Sequence, residues 1–265
     1  MRRELEAKIR DAEFESDNDG LAEEMIGALR PVIGIGLKKE AVAIGQSKIG
    51  GKPHLPEGME WPCEDDDTEA EENGWNYKRL SFVCQINLAE CKPYDFEGLP
   101  DRGMLYLFHT TEEEFLSDEW SSLIYRDVPA SELREVDYPK DLNDVEGRFN
   151  ESRIVFSESY ILDQDGEKFD FDDDDDGETF EGLLKEVGMH TNATMLGIPH
   201  FWDEDAYEFD GNTQVALLEL DGGLIERIGD DDSMFCEGTF HLVIDKDALT
   251  AGELEKTAVI YEGGT

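Results

Sequence analysis

With 265 residues, 39% of them hydrophobic and 10% aromatic, the chain carries enough apolar material for one large core or two intimate lobes, which excludes disorder throughout. Against 23 Lys and Arg stand 66 Asp and Glu, a formal net charge of −43. A field of that sign argues against nucleic acid and membrane as partners, because it repels phosphate backbones and anionic lipid, while it attracts cations and basic proteins.

Met1-Arg2-Arg3-Glu4-Leu5-Glu6 leads straight into a charged segment without the apolar stretch of a signal sequence, which predicts a cytoplasmic protein. Leu5, Ile9 and Ala12 share one helical face and Leu21, Met25, Ala28 and Leu29 another. Asp19-Gly20 divides the two helices, and Pro31 ends the second. Residues 1–30 thus read as N-terminal helices, ahead of a domain over 31–265 built from two related lobes, about 31–160 and 161–265. Residues 32–37 and 40–46 read as strands around Lys38-Lys39, and 47–62 as a loop punctuated by Gly50, Gly51, Pro53, Pro56, Gly58 and Pro62. An acidic, solvated loop follows over 64–73. Residues 80–88 and 104–108 form strands joined through a turn at 99–103, with shorter strands at 123–125 and 153–156. The run 163–178 reads as an acidic loop, 180–187 as a short helix, 215–220 and 239–244 as strands, 249–254 as a helical turn and 257–261 as a last strand. Helices and strands mix without strict alternation, so the fold class is α+β with a mainly antiparallel sheet core.

One phrase occurs twice. Gly51-Lys52-Pro53-His54 is answered by Gly197-Ile198-Pro199-His200. Each is followed by an apolar strand, and then by a glycine, Gly103 or Gly238, that opens a second strand. The repeated order predicts a pseudo-duplicated sheet in which 80–88 lies antiparallel to 104–108, and 215–220 to 239–244.

The chemistry-bearing motifs mostly fail on spacing. Gly45 to Lys52 resembles a phosphate loop, but its Gly-Lys pair comes one residue late and Pro53 stands where Ser or Thr would hold magnesium. Asp172-Asp173-Asp174-Asp175-Asp176-Gly177 matches the first half of an EF-hand loop, yet position twelve is Leu183 rather than Glu. His54 and His200 occupy matching places, but neither shows zinc-site spacing to His190 or Cys236. The four cysteines, Cys63, Cys84, Cys91 and Cys236, are scattered and read as reduced thiols. No cofactor and no metal is therefore expected. Trp61 and Trp202 each follow a Gly-x-Pro-His phrase, and Gln85 and Asn87 point to the opposite face from Cys84 and Ile86.

Ser47-Lys48-Ile49-Gly50-Gly51-Lys52-Pro53-His54-Leu55-Pro56, Trp61-Pro62, Phe82 to Leu88 and Leu99 to Leu105 together resemble the YwqG-like family. That family reads S-K-x-G-G-x-P-x-L-P, W-P, a Q-I-N-L strand and a P-x-x-G-x-L strand in this order. Its later elements resemble His190 to Asp203, Leu217 to Asp221 and Gly238 to Ile244. The resemblance, over roughly residues 30–262, implies a compact α+β fold and no defined biochemical activity.

The expectation from these observations is a non-catalytic module that binds a basic protein or a small ligand. Its site is expected where the two Gly-x-Pro-His loops approach, lined by Lys48, His54, Trp61, Gln85, His200 and Trp202. A narrower version is an immunity-type protein masking a basic partner. The rival is a hydrolase or transferase using Lys48, His54, His200 and nearby acids. Adaptation to a salty environment competes with a basic partner as the reason for the acidity, and the spread of acids over almost every segment favours adaptation.

Overall fold

In the computed structural model, residues 1–15, 18, 20–63, 79–110, 121–140, 142, 148–164, 167–169, 171, 174–189, 193–201, 207–226 and 238–263 are described. The two amphipathic N-terminal segments form helices α1 (Arg2–Asp11) and α2 (Leu21–Ala28). Leu5, Ile9 and Met25 are wholly buried against Leu29, Tyr160 and Leu162 of the sheet and Phe180 and Leu184 of a later helix. Each such side chain contributes about 2 kcal/mol by leaving water.

The chain then enters β1 (Leu29–Lys38), β2 (Lys48–Ile49) and β3 (His54–Pro56), followed by β4 (Ser81–Asn87), a helical turn α3 (Leu88–Cys91), β5 (Met104–His109) and β6 (Ser121–Arg126). Next come β7 (Leu133–Glu135), the long β8 (Ser152–Gln164), β9 (Glu167–Lys168) and α4 (Asp174–Glu186). The last elements are β10 (Ala193–Met195), β11 (Gln214–Asp221), β12 (Gly238–Asp245), α5 (Lys246–Ala251) and β13 (Ala258–Gly263).

Among the described residues, ten strands join in the order β13-β12-β11-β10-β1-β8-β2-β4-β5-β6, each pair antiparallel, with β9 folded back on the end of β8 and β3 and β7 making a separate ribbon. The outermost strands, β6 and β13, lie against each other, so the sheet is nearly a closed barrel. At that seam the His109 ring of β5 sits 5.0 Å from Phe240 and 5.1 Å from Tyr261. The main core includes Ile33, Ile35, Cys84, Ile86, Leu105, Leu107, Leu218, Leu220, Phe240 and Leu242. The helices cover the back of β1 and β8, and a third apolar cluster covers the outer face of β4 and β5.

This is the α+β, pseudo-duplicated antiparallel core with N-terminal helices expected from the sequence, and the two anticipated strand pairs form, β4 with β5 and β11 with β12. The strand order reads alike from either end: β2, β4, β5 and β6 correspond to β10, β11, β12 and β13. The halves exchange their first long strands. β1 lies next to β10, and β8, which spans the lobe boundary drawn at residue 160, lies next to β2. Matching irregularities mark the repeat. Register slips at Val83 in β4 and at Leu217 in β11. Gly103 and Gly238 each lie beneath a tyrosine ring, Tyr125 and Tyr261.

Three local expectations need correction. Residues 40–46 are not a strand: side chains of β4 take their backbone carbonyls, Asn87 Nδ2 donating to Gly45 at 2.6 Å and Gln85 Nε2 to Gln46 at 2.8 Å, and the chain turns, with the Gln46 N–H donating to the Ala43 carbonyl. The loop over 47–62 contains β2 and β3. The acidic run expected as loop to 178 starts a helix at Asp174, whose first turn carries the carboxylates of Asp175 and Asp176 at the positive end of the helix dipole. Asp176 there is fully buried and accepts the Glu15 N–H at 2.7 Å, so it serves as a tie to the N-terminal segment. The acidic loop expected over 64–73 lies outside the described residues.

Candidate functional site

Strand β2 is a wedge between β8 and β4, with Lys48 opposite Arg153 on one side and Gln85 on the other. The chain leaves it through Gly50 at φ 61°, where a Cβ would lie 2.3 Å from the Asn150 carbonyl oxygen, so only glycine fits. At the matching place in the other half stands Leu196, at φ 65°. Lys48 is completely buried, and its Nζ donates to the Lys52 carbonyl at 2.5 Å and to Glu151 Oε2 at 2.6 Å. Burial pulls the Lys48 ammonium below its ordinary pKa, and the Glu151 carboxylate opposes that shift.

Six residues on, His54 is pinned from every side. Its N–H donates to Gln85 Oε1 at 2.8 Å, and its carbonyl accepts the Tyr106 hydroxyl at 2.8 Å. Its Nδ1 accepts the Gly45 N–H at 3.1 Å and faces Gln85 Nε2 at 2.9 Å. Two donors at Nδ1 place the ring proton of neutral His54 on Nε2. Burial, helped by the Lys48 charge, lowers the His54 pKa to about 4, so the ring is neutral at pH 7. Gln85 Nε2 also donates to the Gln46 carbonyl at 2.8 Å. Gln85 therefore reads both ends of the loop, and alternation along β4 is what aims it outward.

Trp61 belongs to the apolar cover of this network. Its Nε1 donates to the Leu80 carbonyl at 2.8 Å, and its ring meets Phe108 edge-on at 5.4 Å. In the second half the His200 N–H donates to Glu219 Oε2 at 2.7 Å, as the His54 N–H does to Gln85, while the His200 side chain is exposed. Glu219 pairs with His241 across β11 and β12 as Gln85 pairs with Tyr106 across β4 and β5. His241 is wholly buried between Glu219 Oε2 at 3.2 Å and Glu262 Oε2 at 3.0 Å. Trp202, His190 and Cys236 lie outside the described residues.

The structure thus brings Lys48, His54 and Gln85 into one neighbourhood bordered by Trp61, and places His200 at the equivalent point of the other half. In strand order β2, β8, β1 and β10 stand between β4, which carries the His54 network, and β11, which carries the His200 anchor. Glu151, Tyr106, Glu219, His241 and Glu262 were not anticipated. The one available signal was His241 and Glu219 as ionisable residues alternating with buried Phe240, Leu242, Leu218 and Leu220.

Beside β3 opens a cleft of about 820 Å³, lined by Glu57, Met59 and Glu60 after β3, Arg126 at the end of β6 and Val128 beyond it, and Glu132 before β7. Cys63, Cys84 and Cys91 are free, and burial pushes the thiols of Cys84 and Cys91 up to about 12, which removes them as nucleophiles. Among the described residues no group of three His, Cys, Asp or Glu side chains is placed to hold a metal ion, and no helix is long and apolar enough to cross a membrane.

Fold and site together define a pseudo-symmetric antiparallel α+β protein, with one loop anchor built twice and filled differently in each half. The chain belongs to the family described as a domain of unknown function (DUF1963), whose model matches residues 47–262 and so takes in both Gly-x-Pro-His loops. No curated protein matches the chain.

Proposed function

We propose that this protein, YwqG-like in its motifs, is a non-catalytic cytoplasmic binding module that takes a basic segment of a partner protein in the cleft beside β3. The observation that carries this reading is where the buried network leads. His54 and Gln85 spend their hydrogen bonds fixing β3, and β3 ends at Pro56, the first residue of the cleft wall. The opposite wall is fixed through the same ribbon, since Pro56 pairs with Leu133 directly after Glu132. A cleft at the rim of a rigid frame suits recognition, and Glu57, Glu60 and Glu132 outnumber the nearby cations Arg126 and Arg134, the latter 4.0 Å from Glu57, which suits a cationic segment. Free thiols support a reducing compartment.

The test is titration of a lysine-rich peptide at low and high salt, against two variants of equal charge change. Glu57→Gln/Glu60→Gln/Glu132→Gln should weaken binding about tenfold more than Glu13→Gln/Glu24→Gln/Glu255→Gln on other exposed surfaces. Equal weakening by both would show attraction to overall charge and would remove the cleft as the site.

A further inference from the structure

The two loop anchors are geometrically alike and chemically different. In the first half the group that accepts the loop N–H is an amide, Gln85, and its cross-strand neighbour is a phenol, Tyr106. In the second half these places hold a carboxylate, Glu219, and an imidazole, His241, with a second carboxylate, Glu262, on the far side of the ring. An ionised carboxylate only accepts hydrogen bonds, and a neutral imidazole donates from one nitrogen alone. His241 has a carboxylate oxygen facing each ring nitrogen, so both contacts are satisfied only when the three groups share one more proton than a neutral ring with two carboxylates holds.

We propose that this shared proton sets the position of the second Gly-x-Pro-His loop beyond Gly197, which the Ala216 backbone holds independently, and that its loss frees the segment Ile198 to Phe201. With the proton present, Glu219 Oε2 accepts from His241 Nδ1 and from the His200 N–H together. Without it, one of the two contacts at His241 sets a lone pair against a carboxylate. Glu262 is held at 8% exposure, whereas Glu219 is 25% exposed and able to turn to water. When Glu219 turns out, the His200 N–H loses its acceptor. Among the described residues the charged groups facing the ring are Glu219 from β11 and Glu262 from β13; from the loop, Phe201 packs on the ring at 4.5 Å with Tyr207 behind it. The first half is the built-in control, because an amide and a phenol do not exchange protons near neutrality.

The experiment is a pH titration of the ¹⁵N-labelled full chain between about pH 5 and about pH 8, the range in which an imidazole changes charge. It follows the His241 ring nitrogens together with amide exchange at His200 and His54, corrected for the intrinsic pH dependence of exchange. Protection at His200 should fall about tenfold as pH rises, with the midpoint of the His241 ring, while His54 stays level. In Glu219→Gln, which copies the first half, His200 should become as level as His54. A His241 ring that does not titrate in this range, a His200 amide that does not follow it, or a Glu219→Gln protein that keeps the pH dependence would each overturn the proposal. The first two are read on the unmodified protein, so the outcome does not depend on the variant folding.

Discussion

Burial acts on His54 and Lys48 in the same direction and leaves them with different consequences. The unfolded chain takes up the His54 proton near the ordinary value of 6.5, whereas the fold refuses it until about 4. Between those values the unfolded state holds more protons, so stability falls as pH drops through that window and is complete above it. The loss amounts to roughly 3 kcal/mol by the lower end. His54→Asn keeps an acceptor near the position of Nδ1 and does not titrate; its melting temperature should fall less from pH 7 to pH 5 than that of the unmodified protein. Parallel falls would assign the acid sensitivity to other groups. Lys48 is the buried half of an ion pair whose other half, Glu151, is 34% exposed. Removing Glu151 strands a buried ammonium, at a cost of about 3 kcal/mol. Lys48→Met leaves only a carboxylate that water can reach, so urea unfolding should show Glu151→Gln to be the more damaging change. The reverse order would mean that the Lys52 carbonyl, more than the carboxylate, holds the lysine.

Among the elements, a glycine stands directly before β5 and another opens β12, for reasons that differ between the halves. At Gly238 a Cβ would come within 2.0 Å of the Tyr261 hydroxyl, a purely steric conflict; at Gly103 it would meet Tyr125 at 2.5 Å, and the backbone also sits at φ 100°. Gly238→Ala should therefore cost about 1–3 kcal/mol and be largely rescued by Tyr261→Ala. Gly103→Ala should stay destabilised when Tyr125 is truncated, because the dihedral strain remains. A double-mutant cycle showing no coupling at Gly238 would contradict this. The same two glycines, with the two Gly-x-Pro-His phrases and the alternation along β4 and β11, made the duplicated sheet legible in the sequence. What escaped has physical causes. Strands β2 and β3 are two and three residues long, too short to show a period. Residues 40–46 have strand-like composition, but the side chains of Asn87 and Gln85 take the Gly45 and Gln46 carbonyls. His54 could be singled out through the repeated loop, Gln85 through alternation along β4, and Lys48 as a cation amid so much negative charge. Glu151, Glu219 and Glu262 could not be told from the other carboxylates of a chain with 66 acids, since only the three-dimensional neighbours give them meaning.

For the molecule as a whole, a net charge of −43 works against compactness everywhere at once. Many acidic side chains have a basic partner, such as Glu23 with Arg10 and Asp101 with Lys92, yet 23 cations cannot neutralise 66 anions. Salt screens the surplus over about 8 Å at physiological strength and over shorter distances above it. The melting temperature should accordingly climb from low to molar KCl; a falling one would mean that surface ion pairs outweigh the repulsion. The exchange of β1 and β8 between the halves has a further consequence during synthesis. Both neighbours of β1, β8 and β10, come from the second half of the chain, with Leu29 in register with Leu162. On the ribosome, β1 is therefore made early and waits with both edges bare until β8 emerges. A nascent strand of that kind is an invitation to aggregate, and the dense like charge along the rest of the chain keeps neighbouring copies apart while it waits.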